Sequence, residues 1–140
     1  MDQPRTAYDQ LYVYTMGRPG FILQHVVDAH AAQSATAETR PMALFFALAG
    51  LFLHVERRIS GHEVQRVHML LAKTPRQYPR ILLPAQRGII TPDDVLAAAE
   101  GSPRDAAITA WCRSVWEAFG ESRGTAVEFL QACDVGTSDR

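Results

Sequence analysis

The stretch MALFFALAGLFL, Met42 to Leu53, is the longest apolar run in the chain and limits what the chain can fold into. As a helix its twelve residues rise about 18 Å, well short of the roughly 30 Å hydrocarbon core of a bilayer. A segment this apolar and too short to span a membrane is expected as a central helix that other elements surround. The remainder of the 140-residue chain is long enough to do this within one domain.

The surrounding elements read as helices. GRPG, Gly17 to Gly20, is a turn signal, and a first helix follows from about Phe21 to Ala32. SATAETRP ends at Pro41, which suits the first turn of a second helix carrying the apolar run on to Arg58. Ser60 to Glu63 has the S-x-x-E pattern of a capping box and opens a third helix ending near Ala72. Residues 74–91 hold three prolines and a glycine and read as a long irregular loop, of the kind that often covers a site. Thr91-Pro92-Asp93-Asp94 caps a short helix that ends at Gly101. Ser102-Pro103-Arg104-Asp105 caps another, which runs to Phe119 and stops at Gly120. Within it, Trp111, Val115 and Phe119 form an apolar stripe that reads as core. A last helix covers about Arg123 to Cys133, and YDQLYVYTM, residues 8–16, fits either a helix or an extended arm. The expected fold is all-α, a compact bundle of five or six helices with a long proline-rich loop. It forms one domain over residues 1–140, with 1–7 and 135–140 frayed.

Charge is unevenly spread. Residues 57–87 hold seven basic side chains and one acid, against four basic and nine acidic in residues 88–140. The basic segment could attract an anion, or simply be a solvated face balanced elsewhere. The start MDQPRTAYDQ shows no basic segment leading into an apolar one, so no signal peptide is expected. Cys112 and Cys133 form no CxxC pattern and are expected as reduced thiols in a cytoplasmic protein.

The informative residues are the polar ones inside apolar helices. At about 100° per residue, His25 lies among Phe21, Ala29 and Ala32, and Asp28 is about 60° away, so the two can share a proton or a metal ion. His30 is about 140° from His25 and aims elsewhere, and Gln33 lies beside Val26. In the second helix the small residues Ala43, Ala47 and Gly50 leave a groove with His54 at its end. His68 borders the apolar face of the third helix. Three core faces thus each deliver one imidazole, the commonest nitrogen ligand for zinc, iron or nickel. His25, Asp28, His54 and His68 are the expected ligands of a divalent transition metal. His25 and Asp28 could alternatively act as an acid–base pair. Neither HExxH nor a paired ExxH is present, and a buried histidine satisfied by a backbone carbonyl is the competing explanation for each ring.

YVYTMGRPGFILQHVVDAHAAQ, with LFLHVERRISGHEVQRVHMLL, LLPAQRGIITPDDVLAAA and WCRSVWEAF, resembles a family of small bacterial proteins of unknown function. The resemblance runs from about Tyr12 to Phe119 and implies that the His25/Asp28/Gln33 segment belongs to a family pattern. Some members carry an N-terminal CxxC segment. This chain has none, so no such zinc ribbon is expected.

The expected function is metal binding in a small helical protein, with enzymatic action on a small anionic substrate as its extension. Arg57, about 60° from His54, and the loop residues Arg76, Arg80 and Arg87 would meet the anion. The alternative is a non-catalytic interaction module, a homo-oligomer or protein partner joined through the second helix should the other helices leave it uncovered. Nucleic-acid binding is a weaker reading, since the corner Ile59-Ser60-Gly61 only loosely matches a helix-turn-helix. No membrane partner is expected.

Overall fold

In the computed structural model, which describes residues 6–135, the apolar run is the middle of a helix buried from Leu44 through Leu53 except at half-buried Phe46. Among the described residues there are seven α-helices and no strand. They are α1 (Ala7–Met16), α2 (Leu23–Gln33), α3 (Pro41–Val55), α4 (Gly61–Ala72), α5 (Pro92–Ala97), α6 (Ser102–Ala118) and α7 (Ser122–Cys133). A 3-10 turn, Pro19–Phe21, precedes α2.

The helix beyond the six expected is α1, which the aromatic pattern left undecided. Its start is fixed chemically: the Thr6 hydroxyl accepts from the Asp9 amide and the Asp9 carboxylate accepts from the Thr6 amide. The same reciprocal box, Thr91 with Asp94, opens α5. At α4 only half of the expected box forms. Ser60 accepts from the Glu63 amide, while the Glu63 carboxylate turns to Arg66. At α6 the expected cap is displaced: Gly101, with φ 93°, occupies the cap position and Ser102 is already helical. The second helix ends at Val55, three residues short of Arg58. There the Ile59 amide reaches back to the Leu53 carbonyl and Arg58 turns left-handed, with φ 56°. The frayed ends expected at 1–7 and 135–140 fall mostly outside the described residues. Thr6 and Ala7 are the cap and first residue of α1, and Val135 packs against the core.

α3 packs against α2, α4, α6 and α7. Trp111, Val115 and Phe119 of α6 are buried, as their spacing implied. The condition set for an interface on α3, an uncovered apolar face, is not met: its exposed residues are Pro41, Met42 and Ala43 in its first turn. The corner between α3 and α4 is a packing joint, since a Cβ on Gly61 would stand 1.8 Å from the Phe21 carbonyl oxygen. Among the described residues no helix is long and apolar enough to cross a membrane.

Residues 74–91 are irregular, as their prolines imply. They are stitched to the end of α2 rather than laid over the histidines. Gln33 Nε2 donates to the carbonyls of Arg87 and Ile90, at 3.2 and 2.8 Å. Gln33 Oε1 accepts from Trp111 Nε1 at 3.0 Å. Arg87 in turn donates to the carbonyls of Gln33, Ala35 and Pro84.

Candidate functional site

α2 and α3 lie antiparallel, so residues ascending one helix meet residues descending the other. His25 meets His54, their rings stacked face to face with centroids 3.5 Å apart and planes 13° from parallel. One turn along, Asp28 meets Gly50. A Cβ on Gly50 would stand 1.9 Å from Asp28 Oδ2, so the carboxylate occupies the space that the missing side chain leaves. The small residue thus makes room for an acid, in the groove expected from the stripe of small residues. Asp28 Oδ1 accepts from Gln24 Nε2 at 3.1 Å.

Three atoms in these two layers are sealed from solvent and have no hydrogen-bond partner: His25 Nδ1, His54 Nε2 and Asp28 Oδ2. His25 and Asp28, expected to share a proton, are not hydrogen-bonded to each other. Burial, then the neighbouring His54, lowers the His25 pKa to about 3. Burial, then the positive charge of Arg113, lowers His54 to about 4. Both rings are therefore neutral near pH 7, the form that binds metals. Burial pushes the Asp28 carboxyl well above the usual carboxylate range, against the opposing pull of the Gln24 hydrogen bond.

The fourth expected ligand stands apart. His68 Nε2 lies 2.8 Å from the Phe46 carbonyl and the ring stacks on Phe46 at 5.0 Å. A carbonyl can only accept, so that nitrogen carries the proton. Phe46 is two turns from His54, about 12 Å along the helix axis, too far for both imidazoles to reach one ion. Among the described residues no group of three or more His, Cys, Asp and Glu side chains is placed to hold a metal ion. Of the four expected ligands the fold brings His25, His54 and Asp28 onto facing turns of α2 and α3, not in coordinating geometry, and holds His68 apart from them.

A cavity of about 450 Å³ opens beside the imidazole pair, between the turn before α2, the α3–α4 corner and α6. Its apolar walls come from Ile22, Val55, Ile59 and Ile108, and its cations are Arg58 and Arg113. The arginines expected to meet an anion are elsewhere. Arg57 is half-buried over the Phe52 ring, 5.1 Å from its centroid. Arg76 and Arg80 line a separate cleft with Arg40 and Tyr78. Arg87 is engaged by three backbone carbonyls. The loop carrying these last three is held at the far end of α2 from His25, which is why it does not cover the site.

Sequence reasoning missed Gln24, Arg58 and Arg113. Gln24 could have been found, four residues before Asp28 on the same helix face. Arg58 and Arg113 are brought to the cavity by a backbone reversal and by the docking of α6, which helix periodicity does not report. His30 of α2 stacks on Tyr8 at 3.7 Å, and Glu56, just past the end of α3, accepts from Trp116 Nε1.

Compared with known proteins, residues 5–120 match the model of a family of unknown function, DUF5946. No curated protein and no solved structure matches the chain.

Proposed function

The chain belongs to the family of unknown function DUF5946, and we propose that it binds a divalent transition metal, zinc, iron or nickel, through His25, His54 and Asp28. The observation that carries this reading is the set of three buried atoms without partners, one on each of these side chains. Each buried polar atom left unpaired costs about 1–3 kcal/mol, so their grouping on two facing helices calls for a shared occupant. Two neutral imidazoles and a carboxylate match the nitrogen and oxygen donors that these metals take. Gln24 would then orient the carboxylate from outside, as partners of metal ligands do. Binding requires the two rings to turn out of their face-to-face stack, so metal uptake carries a local rearrangement. Three protein ligands leave coordination positions for water or a bound molecule, and His25 and His54 border the cavity. That combination is compatible with catalysis, but names no reaction.

Metal analysis of protein purified without a histidine tag, followed by titration with zinc, iron(II) and nickel, tests the reading. Asp28→Asn and His54→Ala are expected to weaken affinity roughly 10–100-fold, with His68→Ala binding as the parent does. Equal affinities for parent and Asp28→Asn, or no metal bound by the parent, would mean that an ordered water bridges these atoms instead.

A further inference from the structure

The cavity beside the imidazole pair is chemically two-sided. Ile22, Val55, Ile59 and Ile108 give it an aliphatic body, and Arg58 and Arg113 give it positive charge. The acid on its border, Asp105, is already engaged: it takes Arg18 at 2.6 Å and the Tyr14 hydroxyl at 2.7 Å. Among the described residues neither Arg58 nor Arg113 has a carboxylate partner, so the cavity carries two uncompensated guanidinium groups. The charge of Arg113 reaches His54, whose pKa it helps to lower.

The backbone around the cavity is also held in a costly shape. Gly20, Phe21 and Arg58 all have φ in the left-handed region, at 77°, 53° and 56°. Gly20 and Arg58 line the cavity, and the chain at Phe21 is pressed against Gly61. For Phe and Arg this conformation is uncommon, and such strain collects at binding sites.

We infer that this cavity binds a small organic carboxylate, its carboxylate group between Arg58 and Arg113 and its hydrocarbon part against the four aliphatic side chains. A guanidinium fork matches a carboxylate in two parallel hydrogen bonds. The volume, about 450 Å³, lies within the usual range of small-ligand sites. An inorganic anion would leave the aliphatic walls unused, and a neutral molecule would leave the arginines unused. The inference shares the cavity with the metal reading but does not rest on an ion being bound.

Calorimetric titration of chelator-treated protein with benzoate, benzamide and inorganic phosphate separates the contributions. Benzoate is expected to bind saturably, and benzamide and phosphate at least tenfold more weakly. Arg113→Gln and Arg58→Asn should each weaken benzoate about tenfold, the lower end for a charge-assisted pair near solvent. Asn tolerates the left-handed backbone at position 58, so that variant is expected to fold. Both variants should still bind zinc if the metal reading holds, which keeps the two tests separate. Benzamide binding as tightly as benzoate, phosphate binding more tightly, unchanged benzoate affinity in the double variant, or no saturable binding by the folded parent would each overturn the inference.

Discussion

Gly50 has no side chain, and the Asp28 carboxylate lies where one would be. A mid-helix glycine normally destabilises by roughly 0.5–1 kcal/mol relative to alanine, so its presence in the most buried helix calls for a reason. The reason is steric, and it has a sign that can be measured. In the parent, Gly50→Ala drives a methyl group into Asp28 and should destabilise by about 1–3 kcal/mol in urea denaturation. In an Asp28→Ala background the same change should stabilise, by about 0.5–1 kcal/mol, because only the helix preference remains. The same sign in both backgrounds would show that Gly50 is not there for Asp28. The sequence made His25, Asp28 and His54 legible because each interrupts an apolar face at helical spacing, and their burial against the facing helix follows from that face. It could not separate His68 from them, since the Phe46 carbonyl that satisfies His68 belongs to another helix. It could not tell that Arg58 and Arg113, and not Arg57, Arg76, Arg80 or Arg87, line the cavity beside the imidazole pair either. A charged side chain's destination depends on turns and docking, not on period.

At the scale of elements, the helices were legible where a polar or proline signal abuts an apolar period, as at Pro41, Ser60 and Thr91. They were illegible where backbone geometry decides, as at the left-handed Arg58 that ends the reach of α3. The loop 74–91 illustrates the difference: its irregularity is written in its prolines, but its position is set by contacts with other elements, the Gln33 amide and the Arg87 guanidinium among them. Gln33 uses both ends of its side chain, donating to Arg87 and Ile90 and accepting from Trp111. Gln33→Leu fills a similar volume and deletes all three bonds, leaving the indole N–H of fully buried Trp111 without its acceptor. The expected loss is about 2–4 kcal/mol, most of it the desolvated donor. Native-state hydrogen exchange should accelerate at amides 85–91 well beyond the global change, because those residues are held to the core through Gln33 and Arg87. Uniform acceleration across the molecule would mean that the loop is not a separate unit. Metal or benzoate binding should survive this variant, since the clamp and the imidazole pair lie at opposite ends of α2.

Across the whole molecule, the N-terminal helix and the turn after it are joined to α6 by a polar knot far apart in sequence. Arg18 and Tyr14 both donate to Asp105, and the Tyr14 hydroxyl oxygen also accepts from the Gly101 amide. Burial alone would raise the Asp105 pKa. The hydrogen bonds from Arg18 and Tyr14, with the Arg18 charge, outweigh it, and the net pKa is lowered. A carboxyl whose pKa is lower in the folded state stabilises the fold above its unfolded value, about 3.9, and that stabilisation is lost as pH falls through the folded value. The buried histidines also weaken the fold in acid, but from a higher pH, because rings held neutral in the fold become charged on unfolding below about 6.5. Comparing the parent with Arg18→Gln isolates the carboxylate, since that variant leaves the histidines in place. Above pH 5 the variant should unfold at a lower urea concentration than the parent, and the gap should close as pH falls below about 4, the ordinary carboxyl range, and Asp105 becomes protonated in both. A gap that closes between pH 7 and pH 5 instead would assign the effect to the histidines. A gap that does not narrow in acid would mean that Arg18 acts by packing on Tyr14, whose ring it overlies at 5.8 Å, rather than through its charge on Asp105.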